Sequence, residues 1–328
     1  MNTLTQQGGR MSQLLSPAEV AGRLGVTEQT VTRHIRRGEL RAIKTPGGQY
    51  RIPEAALAAY LGDSDTLPAP TTGRILAVAH HAGGVGKTTT TVNLAYALAA
   101  LGQRVGVVDL DPQGDLSERL GVLPAAPTLA AALTARTAVL PATVRCEWAG
   151  VGFDVIPSSL DTMVDVENTL SGVSNGRELR LKRTLDPFRS AYDFILLDCP
   201  PNLSTLTTNA FYAADGALIT VQAQDKAYRH LDKVFLSMDE VNQFRSPPLQ
   251  HFGVLVTMVN RQQGALADEI EAAVRAGYGE LVFTTTIPVR VDAALDGRHF
   301  APVAVYAPRN EVAFAHMALA QEVIRRAY

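Results

Sequence analysis

The 328-residue sequence predicts an α/β unit, with a mostly parallel sheet flanked by helices, preceded by a small helical module that carries a hairpin. Three observations lead there. Beyond residue 73, short apolar runs of the kind that form buried parallel strands alternate with helical stretches. One such run, Ile75 to Ala79, feeds a Gly-rich turn and then a helix, which is a unit built to hold phosphate. The first 61 residues contain two short helical patterns, a Gly turn and a Pro-Gly-Gly hairpin signal.

Composition limits the alternatives. Nearly half of the chain is hydrophobic, enough for a sizeable core, and the net charge of −2 implies no partner. The charge is uneven, however. Residues 1–61 hold eight Lys/Arg against four Asp/Glu, whereas the remainder holds 22 against 28, a pattern that suits an N-terminal module meeting nucleic acid. Two cysteines, Cys146 and Cys199, exclude a disulfide framework and lack metal-ligand spacing, so a reducing compartment is expected. No apolar run reaches ~18 residues and no signal-like h-region opens the chain, so neither membrane spanning nor export is expected.

Residues 1–12 are polar and expected to be disordered; residues 13–61 form the first module. Ser16 caps a helix with Pro17 at its first position and Glu19 completing a capping box. Val20 and Leu24 face inward, and Gly25 makes the turn. Thr27 caps a second helix to about Arg37, with Val31 and Ile35 on its buried side. Leu40 to Ile52 reads as two strands around Pro46-Gly47-Gly48, and Pro53 opens a third helix to about Leu61. The module resembles the winged helix-turn-helix of the excisionase/MerR group, most specifically in Gly47-Gly-Gln-Tyr-Arg-Ile-Pro53. The resemblance implies that Gln29, Thr30, Thr32, Arg33 and Arg36 enter a DNA major groove, Arg33 being first choice for a bidentate guanine contact. Lys44, Gln49 and Arg51 on the wing would then touch phosphate or the minor groove. The alternative is a protein-docking helix pair with a solvated basic face. Residues 62–73, with two Pro and two Gly, read as an exposed linker.

Residues 74–328 form the larger unit, organised by Ala79-His-His-Ala-Gly-Gly-Val-Gly-Lys-Thr-Thr89 and the helix Thr88 to Leu101, on which Val92, Ala95, Leu98 and Leu101 recur at helical spacing. Glycines let the backbone approach phosphate, Lys87 would reach the outer phosphates and Thr88 would take a position on Mg²⁺. Gly83, Gly84, Val85, Gly86, Lys87, Thr88 and Thr89 are the candidate nucleotide contacts. The eight residues Ala82-Gly-Gly-Val-Gly-Lys-Thr-Thr89 resemble the deviant Walker A motif KGGVGKTT of the ParA/MinD ATPases at seven of eight positions. This identifies the unit as similar to a P-loop NTPase of the ParA/Soj type. The departure is Ala82, where the family has a Lys that crosses to the partner subunit's phosphates. Losing two such contacts removes roughly 3–6 kcal/mol, or about two to four decades in dimer affinity. His80 and His81 either donate hydrogen bonds in compensation or cap the strand; alternatively, Ala82 is a disabling substitution.

Asp109-Leu-Asp-Pro-Gln-Gly-Asp-Leu-Ser117 follows an apolar strand, Val105 to Asp109, and resembles the family's switch I. By that resemblance Asp111 orients the attacking water and Asp109 lies nearer Mg²⁺. With Lys87, Asp111 is the candidate catalytic residue. Phe153 to Pro157 reads as a strand, Leu170 to Phe188 as a helix with a solvated basic face, and 123–142 as a short helical excursion. Tyr192 to Asp198 is an apolar strand ending in an acid, and Asp198-Cys-Pro-Pro201 resembles Walker B with switch II. Cys199 reads as a small buried residue. Three more strands are expected at Ala217 to Ala223, Gly253 to Val259 and Val282 to Pro288. Met258, Asn260 and Pro288 are placed near adenine by resemblance. The closing helix, Glu311 to Ala327, buries Val312, Met317, Ala320 and Ile324 and lacks the polar face of a membrane-targeting helix.

The resemblance implies ATP/ADP and Mg²⁺ as cofactors, slow hydrolysis, an ATP-sandwich homodimer, a ParB-like partner and no membrane. It also implies a cytoplasmic, nucleoid-associated location and non-specific DNA contact, for which Arg261, Arg275, Arg290, Arg298 and Arg309 are candidates beside a plain-surface reading. The function so implied is DNA partition, with operator binding as a possible addition. The alternative is an ATP-regulated transcriptional regulator that moves no cargo. A nitrogenase-type iron protein shares the loop but finds too few cysteines here.

Overall fold

The computed structural model describes residues 14–24, 27–36, 40, 42–44, 49–53, 57, 73–135, 137, 139–173, 175–223, 231–260, 266–289 and 299–328. It divides into two compact units, Met1–Leu67 and Pro68–Tyr328.

In the first unit the elements are β1 (Leu14–Leu15), α1 (Pro17–Leu24), α2 (Glu28–Arg36), β2 (Ile43–Lys44) and β3 (Tyr50–Pro53). The capping box closes both ways. Glu19 N–H donates to Ser16 Oγ (3.2 Å), and Ser16 N–H donates to Glu19 Oε2 (2.7 Å). Thr27 caps α2 as expected, through Thr30 N–H to its Oγ1 at 3.3 Å. β2 and β3 pair antiparallel as the wing. The two-residue β1, which the sequence reading missed, adds to the other edge of β3. Leu15, Val20, Val31, Leu40, Ile52 and Leu57 are buried and form this unit's core, whereas Ile35 is only half-buried. The expected third helix lies outside the described residues except Leu57. So do the side chain of Leu24, the turn at Gly25, the tip at Pro46–Gly48 and the linker up to residue 72.

The second unit runs β4 (Arg74–Ala79), α3 (Lys87–Ala100), β5 (Val105–Asp109), α4 (Asp115–Leu120), α5 (Leu129–Thr134), β6 (Val144–Trp148) and β7 (Val151–Ile156). Then come α6 (Leu160–Met163), α7 (Val166–Ser171), α8 (Arg180–Leu185), β8 (Phe194–Asp198), α9 (Thr205–Ala213) and β9 (Gly216–Gln222). Last are α10 (Leu231–Asn242), β10 (Gln250–Thr257), α11 (Leu266–Tyr278), α12 (Val303–Tyr306) and α13 (Glu311–Ala327). The strands form one seven-stranded sheet in the order β10-β9-β4-β8-β5-β7-β6. All neighbours are parallel except the β6–β7 hairpin. Strands β4, β5, β8 and β9, and edge strand β10 beyond its first two residues, are apolar almost throughout and buried, as a sheet covered on both faces requires. Their C-terminal ends therefore share one edge, which is where a parallel sheet places a ligand site.

Four expectations need correction. The helix expected over Leu170 to Phe188 is broken. α7 stops at Ser171, a 3₁₀ turn covers Arg177–Leu179 after left-handed Gly176, and α8 ends before the 3₁₀ turn Asp186–Phe188, which contains Pro187. Val282 to Pro288 is not a regular strand. It makes two isolated bridges, Val254 to Val282 and Val259 to Pro288, because Thr285 N–H, next in line after Phe283 N–H to bond β10, donates instead to the Glu322 carboxylate (3.1 Å), as does Thr284 N–H (2.8 Å), and Ile287 N–H takes the Val256 carbonyl. β6, at the sheet edge, was missed. On α13 Met317 is only half-buried and His316 is buried in its place, with its Nδ1 2.8 Å from the Val312 carbonyl oxygen. Among the described residues no helix is long and apolar enough to cross a membrane.

The β6–β7 hairpin leaves no room at Gly152, where an added Cβ would collide with the Cys146 carbonyl oxygen and the Cα of Glu147. Gly152→Ala should therefore cost about 1–3 kcal/mol in chemical denaturation. An unchanged midpoint would show that the hairpin shifts freely to make room.

Candidate functional site

The turn between β4 and α3 is shaped by two glycines in the left-handed region, Gly84 (φ 73°) and Gly86 (φ 83°), a conformation that a side chain at either position would oppose. Gly86 is also the residue on which α3 starts, and its carbonyl accepts from Thr90 N–H at 2.9 Å. Among the described residues, the backbone N–H groups of Gly83, Gly84, Val85 and Gly86 find no backbone acceptor. Four donors at the N-terminus of a 14-residue helix form an anion cradle. Lys87 is buried, and its Nζ donates to the Ala82 carbonyl oxygen at 3.0 Å. Burial lowers its pKa; the charges of Asp198, Cys199, Asp111 and Asp115 act the other way.

Asp198 ends β8 with no exposure to solvent. Its carboxylate accepts from Thr88 Oγ1 (2.8 Å) and Thr91 Oγ1 (3.0 Å). The register places Asp109, at the end of β5, directly opposite Asp198. Asp109 is equally buried, and both of its oxygens are engaged: Oδ1 by Asp111 N–H (3.2 Å), Oδ2 by Ser117 N–H (2.9 Å) and Ser117 Oγ (2.6 Å). Asp111 is nearly buried, and its Oδ1 accepts from Gln113 N–H at 3.0 Å. Burial, and then its neighbour's charge, pushes Asp198 up to about 7. Burial pushes Asp109 up to about 6 against the hydrogen bonds from Ser117. Burial likewise raises Asp111. Burial and the adjacent Asp198 raise the Cys199 thiol, which makes it inert packing.

The structure thus brings Lys87, Thr88, Asp198, Asp109 and Asp111 together at one sheet edge. Thr257, at the end of β10, is a supporting residue that sequence reasoning missed. Its Oγ1 lies 2.9 Å from the Val85 carbonyl oxygen and 3.2 Å from that of Val221, tying the loop to two strands. Arg119 Nη1 donates to Thr89 Oγ1 at 3.2 Å. The three residues expected near adenine cluster by backbone pairing. Met258 follows Thr257 with φ at 54°, and Val259, between Met258 and Asn260, bridges to Pro288. A positive φ on a non-glycine residue is a strain that functional sites commonly hold. His80 serves the loop as a cap, with its Nδ1 accepting from Ala82 N–H at 3.0 Å and its ring stacked on His81 at 4.7 Å.

In the first unit Gln29, Arg33 and Arg36 are exposed on α2, and Thr32 is half-buried. The Thr30 hydroxyl is 2.9 Å from Thr27 Oγ1 and serves the cap. Lys44 and Gln49 are exposed on the wing, and Arg51 Nη2 donates to Gln49 Oε1 at 3.3 Å. Of the scattered arginines, Arg275 is paired with Glu271 (2.8 Å) and Arg309 is exposed. Arg261, Arg290 and Arg298 lie outside the described residues.

A family model described as an AAA domain matches residues 73–250, and one described as a helix-turn-helix domain matches residues 14–63. The chromosome partitioning protein ParA of Caulobacter vibrioides is 37% identical over 257 residues, 77% of this chain and 94% of that protein. The chromosome-partitioning ATPase Soj of Thermus thermophilus is 37% identical over 258 residues, 77% and 96% of the two chains. Among solved structures, cobyrinic acid a,c-diamide synthase from Mycobacterium smegmatis, with bound ADP and magnesium, matches with a TM-score of 0.65 at 30% identity. That match covers 78% of this chain and 95% of the other.

Raised carboxyl pKa values make a directional prediction. Asp109 and Asp198 bind protons more tightly in the folded chain than unfolded, where the ordinary value is 3.8. Between about pH 4 and pH 7 the folded state therefore holds more protons, and the pair's contribution to stability falls as pH rises. Asp198→Asn should unfold at a higher temperature than the parent at about pH 8 in cation-free buffer, the gap closing toward about pH 5. Parallel pH profiles for the two proteins would contradict this.

Proposed function

The chain belongs to the ParA/Soj family of partition ATPases, and we propose that it couples ATP binding and hydrolysis to the segregation of DNA. The observation that carries the reading is the meeting of the anion cradle with a buried acid pair at one sheet edge: Asp198 bonded to Thr88, and Asp109 beside it.

The four N–H groups of residues 83–86, without a backbone acceptor among the described residues, suit the phosphates of a nucleotide, and Lys87 would exchange the Ala82 carbonyl for an outer phosphate. Among the described residues no cluster of three or more His, Cys, Asp or Glu side chains could hold a metal alone. That fits Mg²⁺, which keeps several waters and binds through one or two carboxylates together with substrate phosphates. Thr88, Asp198 and Asp109 are the residues for it. When bound, Mg²⁺ neutralises phosphate charge at the transferring group. Asp111 holds the attacking water and orients it for in-line attack. Thr89 would extend the cradle along the helix N-terminus, and Met258, Asn260 and Pro288 would hold the adenine.

The family resemblance supports a homodimer that closes over two nucleotides, gains DNA affinity in that state and is released when a ParB-like partner stimulates hydrolysis. On this reading the protein works in the cytoplasm, associated with the nucleoid. Residues 13–61, as a winged helix-turn-helix, add site-specific contact through Gln29, Thr32, Arg33, Arg36, Lys44, Gln49 and Arg51, with Thr30 contributing only if it leaves its cap. Operator binding by this module would let the protein repress its own operon; DNase footprinting upstream of its gene tests that.

Sedimentation velocity with Mg²⁺ and no nucleotide, ADP or ATP tests the switch. ATP alone should produce the dimer, and Ala82→Lys should tighten it by about two to four decades. A chain that stays monomeric with ATP, in the parent and in Ala82→Lys alike, would refute the sandwich dimer.

A further inference from the structure

Four hydrogen bonds close a ring around the segment that carries Asp111. Asp111 N–H donates to Asp109 Oδ1 (3.2 Å), and Ser117 Oγ donates to Asp109 Oδ2 (2.6 Å). Ser158 N–H donates to Ser117 Oγ (3.0 Å), and Ser158 Oγ donates to the Asp111 carbonyl oxygen (2.7 Å). Each hydroxyl has one proton, and each is spent inside the ring. Both serines are 2% exposed, so water does not compete for these bonds. The main chain of Asp111 is consequently held at both of its polar atoms, which fixes the Cα from which its carboxylate extends to accept from Gln113 N–H (3.0 Å).

Ser158 is not part of this segment. It follows β7, 47 residues from the carbonyl that it holds, and it reaches across with both its N–H and its O–H. A hydroxyl used only to finish the end of a strand would bond its own turn. This one sets the distance between the β7–α6 junction and the residue assigned to the attacking water. We propose that Ser117 and Ser158 are positioning residues for hydrolysis, holding Asp111 so that its carboxylate meets the water, an inference that rests on the ATPase reading above. Neither serine is among the residues assigned to the nucleotide or to Mg²⁺, so their removal should act on turnover and spare binding.

The test uses the full chain with Ser117→Ala, Ser158→Ala, Ser117→Thr and, as reference, Asp111→Asn. Affinity for a fluorescent ATP analogue with Mg²⁺, single-turnover ATP hydrolysis and thermal unfolding are measured for each. The expected result is a hydrolysis rate lower by about tenfold or more in both alanine variants, with affinity within about twofold and most of the rate restored by Ser117→Thr. Hydrolysis at the parental rate in Ser158→Ala overturns the proposal. So does a joint fall of affinity, rate and unfolding temperature that Ser117→Thr leaves uncorrected, since that marks a packing role alone. If Asp111→Asn hydrolyses ATP like the parent, the assignment of Asp111 itself falls, an outcome distinct from failure of the serines.

Discussion

Two carboxylates buried side by side govern the larger unit. Asp109 and Asp198 lie opposite one another on neighbouring parallel strands, neither exposed to solvent. Removing two like charges from water is costly unless every lone pair finds a donor. The donors come from separate elements: Thr88 and Thr91 on α3, Ser117 on α4, and the backbone of Asp111 between β5 and α4. Satisfying the acid pair therefore fixes where the first turn of α3 sits against β8 and where the following loop leaves β5. The phosphate cradle, the switch segment and the strand ends acquire their relative positions from one electrostatic requirement. On the proposed reading, a cation bound at this edge would relieve it and so would couple ligand binding to the conformation of everything attached to the pair.

Local chemistry made much of this legible. The cradle, its lysine and both acids announce themselves within a few residues, because a Gly-rich turn, a helix start and an acid at a strand tip are short-range patterns. What escaped was long-range. Thr257 reaches the Val85 carbonyl across 172 residues, and nothing in Val256-Thr-Met258 marks that threonine as an anchor. Ser158 is equally silent in sequence. The misread helix between Leu170 and Phe188 has a physical cause too: Leu170, Leu181 and Leu185 are all buried, so their apolar pattern runs on across a break made by Gly172 and Gly176. The lost strand at Val282 is a competition between donors and acceptors. The Glu322 carboxylate outbids a β10 carbonyl for Thr285 N–H while also taking Thr284 N–H, since bonds to a charged acceptor are the stronger ones.

The small N-terminal unit shows the opposite balance. Its capping box and its second cap followed from residues three positions apart and its wing from residues no more than eight apart, and only the pairing of β1 with β3 lies farther off in the chain. A unit of this size has little interior, and local bonds carry a larger share of its specification. The same economy touches function. Thr30 sits on the face assigned to DNA, yet its hydroxyl completes the helix cap, so the capping and reading roles of α2 compete at that residue while Arg33 and Arg36 stay exposed.

Position 82 separates two roles that the family motif joins in one lysine. In this chain the main chain at 82 works within its own loop: the N–H is held by His80, and the carbonyl holds Lys87. Neither bond involves the side chain, so the cradle keeps its shape with a methyl group there. On the proposed reading, binding in cis uses the backbone of residues 83–86 and Lys87, a loop and helix start anchored through Thr257 to the Val85 carbonyl and through Thr88 to Asp198, with no part for the side chain at 82. The contribution of a lysine to the partner subunit's phosphates is of another kind, a charge placed across a two-fold axis. In the proposed dimer its absence would weaken association without distorting either half. Nucleotide occupancy and dimer closure would then be two equilibria, linked by whatever closing affinity the rest of the interface supplies. Substitution at position 82 would move the second while leaving the first where the acid pair set it.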